Sequence, residues 1–244
     1  MAVNTVAQIK DQELPNQGST WFLRLLYLFG TVFVIAVLAF NIFQPIKVLP
    51  RVGLAPGFVF TNQEGVRKTS EDFRGKLTMY SFTFTECGDG CPQTTQQMQL
   101  LKNALGQSTN TDTKFALVTI SLDPERDTPE KMKKFASAYL TDGVGDVSWD
   151  FLSGDVTRTR YVVGGGFSVY YKNIKDQNGV SSIKFEPRYV LVDGWGIIRA
   201  EYRGVELNVA RVLRDAGYLQ SEIRNSQGVA RYAYEAAHLF RCYP

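Results

Sequence analysis

Leu77-Thr78-Met79-Tyr80-Ser81-Phe82-Thr83-Phe84 runs straight into Thr85-Glu86-Cys87-Gly88-Asp89-Gly90-Cys91-Pro92. The first eight residues alternate and are rich in β-formers, which predicts a strand over residues 77–84. Past the second cysteine the period changes. Met98, Leu101 and Leu105 fall on one stripe of a helix over residues 91–105. Cys87 and Cys91 therefore stand at a strand–helix junction, and a spacing of four lets two sulfurs meet in a tight turn. Two outcomes are open: closure to a disulfide, or binding of a soft ion such as Cu(I) by two thiolates. The positive end of a helix stabilises a thiolate, the form that attacks and ligates. The plain alternative is a pair of inert buried cysteines, which the Gly-Asp-Gly loop between them argues against. Asp89 opposes thiolate formation and could equally attract a cation.

The pattern continues outward from this junction. Phe115–Ser121 is a nearly continuous apolar run, as in a strand covered on both faces. Residues 129–140 predict a helix, with Thr128 as N-cap, Pro129 at the first position and Glu130 near the positive end. Residues 189–192 and 197–202 flank Gly194 and Gly196 and predict a hairpin. Residues 205–216 predict a helix closed by Gly217, and residues 229–240 a last amphipathic helix. Gly164-Gly165-Gly166 predicts a flexible turn and lacks the spacing of a phosphate loop. Strand, helix, strand, helix, hairpin, helix is the order of an α/β thioredoxin-like domain.

Residues 25–43 carry no charge over 19 positions. At 1.5 Å per residue this run is about 28 Å long, close to the hydrocarbon thickness of a bilayer. Trp21 and Phe22 before it and Pro45 after it suit an interface and a breaker. A buried core helix rarely runs this long without a polar face. A cleaved signal peptide would be shorter, start earlier and end in a small-residue site. The expected organisation is a polar tail over 1–20, a transmembrane helix over 21–44, a linker over 45–57, a thioredoxin-like domain over 58–218 and a helical extension over 219–244. Lys10 and Arg24 before the helix and Lys47 and Arg51 after it leave orientation unsettled by charge.

The 244 residues carry 27 basic and 24 acidic side chains, a balance that gives no reason to expect nucleic acid. Three cysteines and one histidine exclude a disulfide-stapled miniature fold and a multi-histidine metal site within the chain. A peroxiredoxin is disfavoured because Phe84, not threonine, lies three residues before Cys87. The spacing also departs from a Cys-x-x-Cys reductase.

The stretch Thr85 to Pro92 resembles the Thr-x-Cys-x-x-x-Cys-Pro motif of the Sco/SenC family. Ser121-Leu122-Asp123-Pro124-Glu125-Arg126-Asp127-Thr128-Pro129-Glu130 is similar to that family's Asp-Pro-Glu-Arg-Asp-Thr-Pro-Glu segment. Phe73-Arg74-Gly75-Lys76 and Gly166-Phe167-Ser168-Val169-Tyr170-Tyr171 also fit, so the resemblance spans roughly residues 53–216. It implies a thioredoxin fold on the periplasmic side of the cytoplasmic membrane. It further implies copper delivery to cytochrome oxidase, or thiol–disulfide exchange during its assembly, with Cys87 and Cys91 as copper ligands. The family's third ligand is a histidine, and counting back from Leu191-Val192-Asp193 its position falls on Phe185. The lone His238 lies in the C-terminal extension, where a fold-back could make it a substitute ligand.

Three further residues are candidates for auxiliary roles. Pro187 occupies the place where related thioredoxins set a cis-proline against the cysteines; a trans-proline at a strand start is the alternative. Asp123 and Asp127 lie in the Asp-Pro loop, where turn formation and capping would also account for them. His238 and Cys242 are four apart, on one face of a helix that persists that far. Two function classes remain open: a copper chaperone or thiol reductase for oxidase assembly, and a non-catalytic accessory subunit of a membrane electron-transfer complex.

Overall fold

A computed structural model describes residues 17–43, 47–86, 93–107, 114–140, 147–175, 181–226, 228 and 230–240. The chain divides into two compact units, Met1–Ile46 and Lys47–Pro244.

The first unit is one helix, α1, Gln17–Phe43. Its apolar window Thr20–Ala39 is long enough to cross a membrane, with none of it buried against protein.

The second unit is built on an eight-stranded sheet. Its strands are β1 (Gly53–Leu54), β2 (Val59–Asn62), β3 (Arg67–Thr69), β4 (Leu77–Thr83), β5 (Phe115–Ser121), β6 (Ser148–Ser153), β9 (Arg188–Val192) and β10 (Ile197–Arg203). Their order is β1-β10-β9-β4-β5-β6-β2-β3. β4, β5 and β6 are parallel, while β9 runs antiparallel to β4. A separate hairpin pairs β7 (Tyr171–Lys175) with β8 (Ser181–Phe185). Helices α2 (Thr94–Gly106) and α3 (Pro129–Ser137) make the two parallel crossovers, and α5 (Val209–Asn225) follows β10. This is the mixed α/β, thioredoxin-like arrangement expected from the sequence.

The sheet is covered on both faces. Met98 and Leu101 of α2, Met132 and Ala136 of α3 and Val212 and Leu219 of α5 pack on one face, against Leu77, Met79, Leu117 and Phe151. Aromatic side chains fill the other, where Phe58, Phe60, Phe73, Tyr80, Phe82 and Phe167 form a continuous cluster. Every residue of β4 is buried, not alternate ones, because this strand lies at the centre of a doubly covered sheet. Burying each such Phe or Leu contributes about 1.5–3 kcal/mol.

Three local expectations change. The helix expected to close at Gly217 continues through it to Asn225, because Leu219 and Gln220 are buried and extend the packed face. The Gly164-Gly165-Gly166 segment is not a loose turn. It ends a π-helical stretch, Arg160–Gly166, that continues from the short helix α4 (Val156–Thr159). A side chain at Gly166 would collide with Pro56, with a Cβ 2.3 Å from its ring, so close approach selects glycine there. Residues 45–57, expected as a linker, already belong to the domain from Val48 onward, since Val48 and Leu49 are buried. The Thr128 cap forms as expected, its side chain accepting from the Lys131 amide.

A candidate cysteine site at the end of the central strand

Residues 87–92, with both Cys87 and Cys91, lie outside the described residues, as does Cys242. Thr83 ends β4, and Phe84, Thr85 and Glu86 lead out of it. On the far side Thr94 opens α2, its hydroxyl donating to the Phe82 carbonyl at 3.0 Å. The end of β4 and the start of α2 are thus bonded directly to each other.

The Asp-Pro segment after β5 grips both residues that precede Cys87. Asp127 is buried, and its carboxylate accepts from the Thr85 amide at 3.1 Å and the Thr85 hydroxyl at 2.5 Å. Ser121 donates a further hydroxyl at 2.5 Å. Burial pushes the Asp127 carboxyl above the usual range, against the pull of these hydrogen bonds. Lys131 donates to Glu86 at 2.6 Å and Arg126 at 3.1 Å, and Arg126 also pairs with Asp123. The Lys131 hydrogen bond and charge, helped by Arg126, hold the Glu86 carboxyl below its ordinary value. Asp123 and Asp127 therefore do more than shape their own turn. The supports Thr85, Ser121, Arg126 and Lys131 were not singled out beforehand; Arg126-Asp127 inside the quoted motif was their signal.

Phe185, at the end of β8, packs edge-on against Phe84 with ring centroids 6.3 Å apart. It is buried. The position at which the resemblance places a histidine thus reaches the strand end beside the cysteine segment, but presents an apolar ring. Among the described residues no cluster of three His, Cys, Asp or Glu could hold a metal ion. The soft-ion donors expected from the sequence motif, Cys87 and Cys91, lie outside the described residues.

Pro187 follows a trans peptide, so of the two readings the trans-proline at a strand start is the one the structure shows. β9 supplies the reason: its ladder begins at Arg188, and the Pro187 carbonyl accepts from Gly204 at 3.0 Å, so the proline opens an extended strand. It lies two positions beyond the Ser81–Tyr189 pair, at the Thr83 end of β4.

His238 is drawn elsewhere. It sits on α6 (Ala230–Phe240) with its Nε2 3.0 Å from Glu222 of α5. Glu222 also accepts from Arg199 at 2.7 Å, and Arg199 donates to Asp193 at 3.0 Å and to the Leu49 and Pro50 carbonyls. Asp193 lies just past Val192, the partner of Thr78 near the start of β4. The cysteine flanks leave the other end, about 20 Å away along the strand. Rather than serving as a substitute ligand, His238 belongs to a latch that docks the C-terminal amphipathic helix on the domain and ties the C-terminal helices to residues 49–51.

An open cleft of about 590 Å³ adjoins the Asp-Pro loop, with Asp123, Glu125, Arg160, Tyr161, Tyr170 and Lys172 among its walls.

Residues 50–216 match the SCO1/SenC family model. The SCO1 protein homolog of Bacillus subtilis is 30% identical over 149 residues, which cover 61% of this chain and 73% of that protein. A protein of Stutzerimonas stutzeri, provisionally named as copper-binding, is 32% identical over 100 residues, 41% of this chain and 48% of that one. The solved structure of BsSco, described as having a disulfide switch and belonging to a family of cytochrome c oxidase assembly proteins, is 26% identical. It superposes with a TM-score of 0.57 over 70% of this chain and 96% of its own.

Proposed function

Because the chain belongs to the SCO1/SenC family, we propose that it is a membrane-anchored thioredoxin-like protein of cytochrome oxidase assembly, working through Cys87 and Cys91 by Cu(I) delivery or thiol–disulfide exchange. The anchor is α1, and the domain faces the periplasmic side of the cytoplasmic membrane. The observation that carries the reading is the doubled grip of the Asp-Pro segment on Thr85 and Glu86. It fixes the approach to a cysteine pair whose other flank is bonded to the same strand. A paired dithiol held in this way can pass between disulfide and dithiol, or clasp a soft cation, with little reorganisation.

Phe185 shapes which of these acts prevail. Two thiolates alone hold Cu(I) at low coordination number, and an ion so held is readily exchanged. The apolar ring also removes a nitrogen that would favour Cu(II). The chain is therefore read as a transient Cu(I) carrier or a thiol reductant, with copper as cargo.

A second reading has its own support. Residues 217–225 of α5 and all of α6 lie outside the family match and are latched to the domain by Glu222 and Arg199. Such an addition suits a permanently docked accessory subunit of a membrane electron-transfer complex.

Removal of the gene and complementation separates these readings. The first requires membranes of the deletion strain to lose the oxidase copper signal, with recovery by wild type but not by Cys87→Ser or Cys91→Ser. Full recovery by both serine variants would contradict it and leave the accessory role.

A further inference from the structure

The sheet edge formed by β1, the first strand after α1 in the sequence, carries exposed apolar side chains. β1 is the terminal strand, paired only with β10. Val52 and Leu54 point to one side of it, 56% and 77% exposed. Leu54 pairs with Ile197, and two residues before Ile197 stands Trp195, 58% exposed. This tryptophan is held out rigidly. Asp193 accepts from the Trp195 and Ile197 amides, each at 3.0 Å, and Gly196 closes the turn with φ +77°. The Ala55 amide donates to the Gly196 carbonyl at 2.8 Å and laces β1 to this turn. On α6, Tyr232 is 75% exposed, one helical turn before Glu235, which pairs with Arg51 at 3.5 Å. An isolated exposed Leu is ordinary; a Trp, a Leu and a Val on one rigid edge are an interaction surface.

The tether identifies the occupant. α1 ends at Phe43, and Val48 and Leu49 are already buried, their neighbourhood clamped by Arg199. Five residues span at most about 18 Å. The surface around residues 48–54 is thus joined to the end of α1 by a short stretch of chain. If α1 spans a bilayer, as proposed above, that surface lies within reach of the headgroup layer, where Trp and Tyr are favoured.

We propose that the β1–β10 edge, through Val52, Leu54 and Trp195, rests on the lipid surface of the membrane that holds α1. Docking there has a consequence for function. The turn at 193–196 lies at the start of β4 and the cysteine flanks at its end, about 20 Å further on. Seated on this edge, the domain keeps the strand end that leads to Thr85 and Glu86 about 20 Å along the sheet from the docked turn.

The test uses the full chain, one copy per nanodisc of phosphatidylcholine and phosphatidylglycerol, with or without acyl chains brominated near the ester groups. The difference in emission between wild type and Trp195→Phe isolates Trp195. Bromination is expected to quench this difference signal by about half, because interfacial side chains sit 5–10 Å into the headgroup boundary. Leu54→Asp is expected to abolish most of that quenching while leaving the Trp149 emission of the folded core unchanged. A Trp195 signal indifferent to bromination would overturn the proposal and give the edge to a protein partner. Emission from Trp21, at the start of α1, is the separate control. If Trp21 also escaped quenching, the anchor reading would fail; quenching of Trp21 without Trp195 would reject the docking alone.

Discussion

Asp127 holds Thr85 by both its amide and its hydroxyl, across 42 residues of sequence. Thr85 is two positions before Cys87. The relationship joins the two motifs that make the sequence distinctive, and gives the second a mechanical reason to exist.

Asp127→Asn should destabilise the domain by about 1–3 kcal/mol, since the amide supplies one acceptor oxygen where three donors converge. Urea unfolding measures this. The same variant should change the alkylation rate of Cys87, because its approach segment loosens, whereas a remote surface change such as Lys172→Gln should not.

Phe185→His should raise Cu(I) affinity by about tenfold or more and let the protein retain Cu(II), a change of at least about 1.4 kcal/mol. Competition with a chromophoric chelator gives the first value and electron paramagnetic resonance the second. The cost is a polar ring facing Phe84, about 1–3 kcal/mol of stability. Unchanged affinity with the fold intact would mean that β8 does not approach the cysteines.

Arg199 is almost fully buried and serves Asp193, Glu222 and two backbone carbonyls. Arg199→Leu should cost about 3–5 kcal/mol, because buried Asp193 loses its counter-charge and buried Glu222 its shortest ion pair. Limited proteolysis should then cut near residues 47–52 and near α6 first.

The latch should also weaken in acid. Burial raises the Glu222 carboxyl, but hydrogen bonds and charge from Arg199 and His238 outweigh it, so its folded value lies below the unfolded one. A lowered carboxyl stabilises above its unfolded value of about 4.3, and the contribution fades as pH falls through the folded value. Asp127 has the opposite sign: its raised value means that ionisation costs stability as pH rises through it. Glu222→Gln should therefore flatten the loss of stability below about pH 5, as followed by thermal melts across pH.

The sheet's central strands and crossovers were legible in the sequence because Phe115–Ser121 is apolar throughout and Thr128-Pro129 marks a helix start. The cysteine junction was legible from a change of period at one place. Gly217 is a helix-ending signal by residue type alone, but packing of Leu219 carries the helix onward. Pro187 stayed open in the sequence because a proline near a cysteine pair has two backbone solutions, and the β9 ladder selects the trans one. The partners of Asp127, Arg199 and His238 lie far away in sequence. No local pattern announces which long-range ion pairs will form, so the latch and the grip became visible only in three dimensions.

The central claim is that Cys87 and Cys91 act as one unit, available to an electron carrier or a soft cation. The midpoint potential of this couple, measured on the full chain with Cys242→Ser, with and without one equivalent of Cu(I), tests it most directly. A single two-electron couple is expected, shifted strongly by copper and abolished by either serine substitution. Two independent one-thiol titrations, or a couple that copper leaves unmoved while binding elsewhere, would contradict it.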